Sequence, residues 1–524
     1  MFQILLYSIQ DSIVPKPKAV QDSWQFLHVT PLEFSCEDSK GAKTCPEYVA
    51  KNFAYFQKLM FQRDDPYTKE EYVSKNINET ISSVKLILQD VSNNVDIQEV
   101  NESYSISFTS EVVINAASPM ASARAFASLA QYVTLSNVNE SDRKMYIMGK
   151  TTIQDAPHYK WRQYQADACA HFMTLDDIKR IIDANSLQKL NVLLLTLTCA
   201  HSFPLAFQQK PQNRLVFGSW TPYHYYDKAD MLELQQYAQM RGVVIVPEVR
   251  MPSHAFSWRH ADPKLVADCP ALAAQNPNNV PLNPLYERTM DYVKGTISET
   301  IESFFPSSLN IRPYIHLGGH AVNFECMKQD RAISNVILNS PGLTYEKIWR
   351  DFHQNILTYV DQLKSSPIVI FDEGALLNDN VFNKNITLVH FTISTQKQKA
   401  NQNQIKQIHS SGLDLGLMHP NGGHHYFWQD TWMDLQRQDI QQGSENNLTI
   451  GGGCFQTSNN CYAQSCEQHA FDRALGAGEN LWTGTVSAWG DSTRMQQLGC
   501  RMDHAGIGTG PLEIGQPCLG QVRD

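Results

Sequence analysis

The run His316-Leu317-Gly318-Gly319-His320-Ala321-Val322-Asn323-Phe324-Glu325-Cys326 joins a sharp turn to residues that could do chemistry. Tyr314 to Leu317 is short and β-rich, and the paired glycines let the backbone turn sharply at its end. The next two side chains are therefore presented at a strand's C-terminal edge, where barrel enzymes keep their catalytic groups. They are His320, which can carry a proton, and Ala321, which has no ionisable group. Glu325 is the nearby carboxylate, and it falls on the loop leading away.

A second constellation is Cys-Ala-His, present at Cys169–His171 and again at Cys199–His201. Residues two apart on a strand face the same way, so Cys169, His171, Cys199 and His201 could converge as a zinc site. His254, His320, His419, His424 and His425 lie at or just beyond other strand ends. Against zinc, neighbouring parallel strands bring Cα atoms near disulfide distance. Cys169 and Cys199 read better as a disulfide or as inert thiols, and no cofactor is expected.

The elements that must position these residues repeat from Asp155 onward. A short apolar strand is followed by a longer amphipathic helix. The strands expected are Trp161–Gln165, Val192–Leu197, Val243–Val249, Tyr314–Leu317, Ile368–Phe371, Thr387–Phe391, Leu413–Met418 and Leu448–Ile450. Thr174 with Asp177 is a capping-box-like helix start, and Arg241-Gly242 stops the helix from Met231 to Met240. Ile348, Phe352, Ile356 and Val360 mark another helical face. Gln396–Gln407 reads as a solvated barrel helix resting on Ile405 and Ile408. Eight strands with intervening helices argue for an α/β fold of the (β/α)8 barrel type over residues 155–524. No glycine-rich nucleotide fingerprint follows the first strand, which disfavours a doubly wound sheet.

Residues 14–150 read as a smaller α+β unit. Glu47 to Phe61 is helical by spacing, Ser83–Leu88 and Tyr104–Phe108 alternate as strands, and Ser118–Val133 is a helix around Arg124. Residues 1–13 are either a signal segment or an ordinary chain start.

The 524 residues suit a large barrel and one further domain, and 42% hydrophobic content supports a folded core. The net charge of −10 and the lack of a basic stripe exclude nucleic acid as an expected partner. No apolar run approaches the ~18 residues of a membrane span. Five Asn-x-Ser/Thr sequons, at Asn78, Asn101, Asn139, Asn385 and Asn447, point to the secretory route, hence an extracellular, cell-surface or lysosomal protein. Of the eleven cysteines, Cys454, Cys461, Cys466, Cys500 and Cys518 fall late, in expected loops, and suit disulfides. An odd number leaves at least one unpaired or paired between chains.

Several stretches together resemble the β-N-acetylhexosaminidases, family 20 of the glycoside hydrolases. They are Lys189-Leu190-Asn191-Val192 with Ser202-Phe203-Pro204, then Tyr237-Ala238, Arg241-Gly242, Val246-Pro247-Glu248 and Pro252-Ser253-His254. Leu282-Asn283-Pro284, His316-Leu317-Gly318-Gly319, Gly451-Gly452 and Leu481-Trp482 follow in the family's order. The N-terminal order of strand, strand and helix is similar to the family's non-catalytic domain. The resemblance implies disulfides Cys269–Cys326 and Cys500–Cys518, and a tendency to pair through the barrel domain.

The resemblance also says what the site would need. In this family the sugar's own acetamido oxygen attacks the anomeric carbon, an Asp orients that group, and the adjacent Glu is the general acid. Those two positions are His320 and Ala321 here. The family's Arg after the first strand is matched by Ala170, its Gly-Gly-Glu by Gly451-Gly452-Gly453, and its fifth-strand Trp by Phe371. His254, with Glu248 in support and Phe371 as a weak stacking face, is what remains of the sugar pocket. Each lost charged contact removes roughly 1.5–3 kcal/mol. The expectation is a family fold without catalytic residues, serving as a subunit or protein-binding scaffold in a homo- or hetero-oligomer. The alternatives are residual exo-β-N-acetylhexosaminidase activity and a lectin-like module using Phe371, His254 and Tyr426-Phe427-Trp428.

Overall fold

Tyr104–Phe108 and Val112–Ala116 alternate buried and half-buried residues with a period of two, so Tyr104, Ile106, Val112, Ile114 and Ala116 share one covered face. That face belongs to the first of two units in a computed structural model of the chain. The structure describes residues 13–61, 77, 79–92, 94–137, 144–319, 322–377, 383–392, 397–415, 432–441, 447–455, 464–485 and 492–510.

The N-terminal unit is a six-stranded sheet built from β1 (Ala19–Asp38), β2 (Thr80–Leu88), β3 (Tyr104–Phe108), β4 (Val112–Ala116), β5 (Thr134–Asn137) and β6 (Lys144–Asp155). Their order across the sheet is β1-β2-β4-β3-β6-β5, with a further β1–β6 pairing. The first half of β1 pairs antiparallel with β6 and the second half parallel with β2, with a register shift in each ladder. Two helices, Glu47–Met60 and Pro119–Tyr132, cover one face, where Phe34, Phe53 and Phe126 meet ring to ring at 4.7–6.0 Å. The second helix is capped by Ser118, whose side chain accepts from the Ala121 N–H, and Pro119 opens its first turn. It is buried on all sides because the barrel packs on its far side. The sheet's last strand runs to Asp155, past Lys150.

The barrel closes from eight parallel strands: β7 (Trp161–Asp167), β8 (Val192–Thr198), β9 (Val244–Val249), β10 (Tyr314–His316), β11 (Ile368–Asp372), β12 (Thr387–Phe391), β13 (Lys406–His409) and β14 (Thr449–Phe455). Every residue of β7, β8, β9, β11 and β12 is buried, as expected of strands covered on both faces. Thr174 and Asp177 form the expected capping box, and the helix ending at Met240 is stopped by Arg241 and Gly242.

Three expectations need correction here. The seventh strand is Lys406–His409, not Leu413–Met418, whose described part makes one bridge, from Asp414 to Phe455. The Gln-rich segment is a helix only over Lys397–Gln402, and its end supplies that strand. Lys406-Gln407-Ile408-His409 has a single aliphatic residue, so alternation could not reveal it, yet Gln407, Ile408 and His409 are all buried. The eighth strand runs Thr449–Phe455, through Gly451–Gly453 and beyond the expected Leu448–Ile450.

The units are joined by buried charge. Glu102 accepts from Arg124 Nε (2.8 Å), Arg162 Nη2 (2.6 Å) and Asn191 Nδ2 (2.9 Å), while Arg124 also donates to the Gly242 carbonyl. Burial opposes the charge on Glu102, but Arg162 and Arg124 outweigh it and hold its carboxyl below the usual range. Beside it, Lys189 Nζ donates to Asp155 (2.8 Å) and Tyr104 (2.9 Å), and Trp482 Nε1 donates to Asp155 (2.9 Å).

Cys36–Cys45, Cys169–Cys199 and Cys269–Cys326 are disulfides, with Cα atoms 6.0, 5.9 and 5.1 Å apart. Cys500 is also disulfide-bonded, and its expected partner Cys518 lies outside the described residues, as does Cys461. Cys454 departs from expectation. It sits within β14 as a buried free thiol, pushed up to about 12 by burial.

Candidate functional site

The turn after β10 is pinned on both sides. Leu317 accepts from the Met251 N–H (3.0 Å) and donates to the Ile370 carbonyl (2.9 Å), and Asp372 N–H donates to the Gly318 carbonyl (2.6 Å). Gly318 and Gly319 take φ of 70° and 109°, and a Cβ on Gly318 would stand 3.3 Å from Arg250 Cα and Met251 N. Only glycine meets both demands without strain. His320 and Ala321, which follow directly, lie outside the described residues, as do His419, His424, His425 and Tyr426-Phe427-Trp428.

Around the base of this turn the strand ends bring together a polar cluster. Glu248, at the end of β9, has His316 Nδ1 at 3.2 Å, Gln165 Nε2 at 3.2 Å and Arg250 Nε at 3.3 Å, and accepts from the Thr196 hydroxyl. Burial would raise the Glu248 carboxyl, but Arg250 and His316 outweigh it and hold it well below the usual range. His316 Nε2 is 3.3 Å from His390 Nδ1 and 3.6 Å from Asp372 Oδ1, and His390 Nδ1 is 3.7 Å from that same oxygen. For His316, burial works against a proton, yet Asp372 and Glu248 prevail and raise it above the ordinary histidine value. His390 Nε2 is 2.8 Å from Ser410 Oγ.

Sequence reading placed Glu248 here but missed Arg250, Asp372, His390 and Ser410. The usable signal was polar residues at the C-terminal ends of β11 and β12, where the chain pattern was otherwise apolar.

The other expected residues scatter. Half-buried His254 has φ of 58° and donates its N–H to the Asn278 carbonyl at 3.3 Å. Phe371 is fully buried with its ring edge-on to His353 at 5.4 Å, so it offers no open face to a sugar. With Cys169 and Cys199 bonded, the sulfurs of the zinc constellation are consumed, which removes that site. His171 and His201 are exposed, and the His201 ring lies parallel to Trp220 at 6.3 Å. Asp167 turns its carboxylate back onto the N–H groups of Cys169 (2.9 Å) and Ala170 (3.0 Å). A Cβ built on Gly453 would run into the Gln163 side chain and its carbonyl oxygen, the latter at 2.5 Å. Asn101, Asn385 and Asn447 are exposed, whereas Asn78 and Asn139 lie outside the described residues.

Comparison with known proteins places this geometry. Residues 159–485 match the model for the catalytic domain of glycosyl hydrolase family 20, and residues 13–132 match a β-acetyl hexosaminidase-like domain. The chain is 26% identical over 511 residues to beta-hexosaminidase subunit A1 of Dictyostelium discoideum, covering 96% of this chain and 90% of the relative. It is 24% identical over 534 residues to beta-hexosaminidase subunit beta of Rattus norvegicus, covering 97% and 93%. Among solved structures, the β-N-acetylhexosaminidase of Bacteroides fragilis superposes with a TM-score of 0.72 at 19% identity, covering 96% of this chain and 99% of that one, a likeness of fold. A closed parallel barrel, a smaller sheet domain docked on it and these matches over most of its length lead to one assignment: the chain belongs to glycosyl hydrolase family 20.

Proposed function

We propose that this chain does not hydrolyse glycosides and serves as a structural subunit or protein-binding scaffold with the family's architecture. The observation that carries the reading is His320-Ala321 directly after Gly318-Gly319, where the family's Asp-Glu pair is expected. A positioned proton donor contributes roughly 10²–10⁴-fold to such a reaction, and an alanine supplies none of it.

The carboxylates nearby are committed elsewhere. Glu325 sits not on the expected loop but on the short helix Phe324–Gln329, largely exposed, and is paired with Lys328 at 2.5 Å. Glu248 is held by His316 and Arg250, and Asp167 by backbone N–H groups. Glu373 accepts from the Thr392 N–H at 3.0 Å. Ala170 and Gly453, in place of a gripping arginine and glutamate, lower the expected affinity for a sugar.

Relatives named as subunits favour a role in an oligomer, homomeric or heteromeric. Disulfides together with exposed Asn101, Asn385 and Asn447 favour the secretory pathway, either lysosomal or extracellular.

The relatives' hexosaminidase names favour a second reading, retained exo-β-N-acetylhexosaminidase activity with a different acid. A fluorogenic N-acetyl-β-glucosaminide separates the two. Release at the rate of a denatured control supports a scaffold, and saturable release by the native chain supports the enzyme.

A further inference from the structure

Between the segments that follow β9 and β10 the surface opens into a groove of about 1340 Å³, which shares no residue with the cluster around Glu248 and His316. Its lining is held in place. The Cys269–Cys326 disulfide ties the start of the helix Pro270–Gln275 to the helix Phe324–Gln329. The Ala267 N–H donates to the Pro281 carbonyl at 3.0 Å, and the Asn283 N–H to the Leu265 carbonyl at 2.7 Å. An occupant would meet a site already formed, which lowers the cost of binding.

Apolar surface lies uncovered there. In the helix Arg331–Leu338 only Ile333 is buried, while Val336 is 42% exposed and Leu338, at its end, 82%. Leu285, 37% exposed, lines the same groove as Val336. Three of the seven large hydrophobic side chains exposed among the described residues thus lie in or beside this groove, a patch and not the scattered exposure that needs no explanation.

Charge selects the occupant. Arg259, Lys264 and Arg331 line the groove, are exposed, and form no ion pair among the described residues. Arg259 and Lys264 lie over the rings of Phe256 and Tyr286, contacts that leave their charge in place. Two carboxylates share the lining. Asp330 is buried and accepts from the N–H groups of Asp268 (2.9 Å), Ala332 (2.8 Å) and Ile333 (3.0 Å), so it is committed to the fold. Asp268 is exposed. Three exposed cations against one exposed carboxylate make a basic groove on a chain of net charge −10. Such a groove draws in acidic partners, while the acidic remainder of the chain disfavours a second copy.

Size and lining narrow the class further. Small-molecule pockets occupy about 300–1,000 Å³, and this groove is larger. Its charged groups, with Asn283 and Gln329, interrupt the apolar surface, so it offers no unbroken channel to an acyl chain.

We propose that this groove docks an acidic peptide segment of a partner protein, its leucine- or valine-sized side chains on Leu285 and Val336 and its carboxylates on Arg259, Lys264 and Arg331. The inference rests on the scaffold reading for the partner's being a protein.

The test is fluorescence anisotropy of the full-length chain with a fluorescein-labelled peptide of Glu-Asp-Leu repeats, about twelve residues long. Saturable binding at about 1–100 μM is expected, with Glu-Asp-Ser and Lys-Lys-Leu repeats at least about tenfold weaker. The double variant Arg259→Glu, Arg331→Glu should weaken binding by about tenfold or more, and Val336→Ser by about fivefold. If a variant loses its fold by circular dichroism, photo-crosslinking of the same peptide to the native chain decides the matter, and adducts on residues 256–286 or 331–338 support the site. Overturning results are no saturable binding, full binding by the folded double variant, or adducts elsewhere. Self-association of the native chain that Arg331→Glu abolishes would overturn it in favour of a second copy. A chain that turns over the fluorogenic glycoside and also binds the peptide would contradict the scaffold reading and leave the groove assigned.

Discussion

Glu102 of the N-terminal unit lies 2.6 Å from Arg162 of the first barrel strand, and both side chains are fully buried. Arg124 reaches the same carboxylate at 2.8 Å from the helix that packs against the barrel. Removing one partner from such a group strands the others as uncompensated charges, a cost of about 3–5 kcal/mol. Glu102→Ala should therefore lower the urea midpoint strongly, and Glu102→Gln should do so while keeping the shape. Adding Arg124→Met to Glu102→Gln should recover part of the loss. A midpoint for Glu102→Gln equal to the native one would mean the junction does not depend on this charge.

His353 supplies a pH dependence. Burial lowers its pKa to about 4, against 6.5 when unfolded, although Nδ1 donates to the Trp349 carbonyl at 2.9 Å. The unfolded chain takes the proton first, so this stability is complete above the unfolded value and is lost as pH falls from about 6.5 to 4, by about 3 kcal/mol in all. His353→Gln should make the fall in melting temperature across that window shallower. Equal slopes in both proteins would show that His353 titrates as a solvated histidine.

Gly453 should resist restoration of the family's glutamate. Its Cβ would press into Gln163 and its carbonyl, inside a ladder between β14 and β7. Overpacking of this kind costs about 1–3 kcal/mol. Gly453→Glu is expected to melt earlier and to gain no affinity for N-acetylglucosamine by calorimetry. A stable variant with measurable sugar binding would count against this packing account.

Restoring the acid pair alone should also fail. On the proposed reading, the double variant His320→Asp, Ala321→Glu regains a proton donor but not the grip that an arginine and a glutamate would give at Ala170 and Gly453. Turnover of the fluorogenic substrate should stay at the blank. An increase of about 10²-fold or more would mean that the pocket had survived the loss of its acid.

The barrel was legible because β8 and β9 are short apolar runs and their helices carry caps, Thr174 with Asp177 above all. The strand β13 was not, because its buried positions include Gln407, which read as part of a solvated helix, and the polar His409. The twenty-residue β1 was also missed. It changes partners midway, and the register shift in each ladder breaks its alternation. Within the site, Glu248 and the glycine turn could be placed from motifs along the chain. No spacing connects His316, Asp372 and His390, since barrel closure alone brings three separate strand ends within hydrogen-bonding range.

On the function proposed above, a family 20 architecture persists here without its proton donor. The most direct test is the progress curve of a fluorogenic N-acetyl-β-glucosaminide with purified, folded native chain between pH 4 and 7. The prediction is a slope equal to that of the heat-denatured sample at every pH. Saturable release that tracks the native protein through size-exclusion chromatography, and is lost on denaturation, would contradict it.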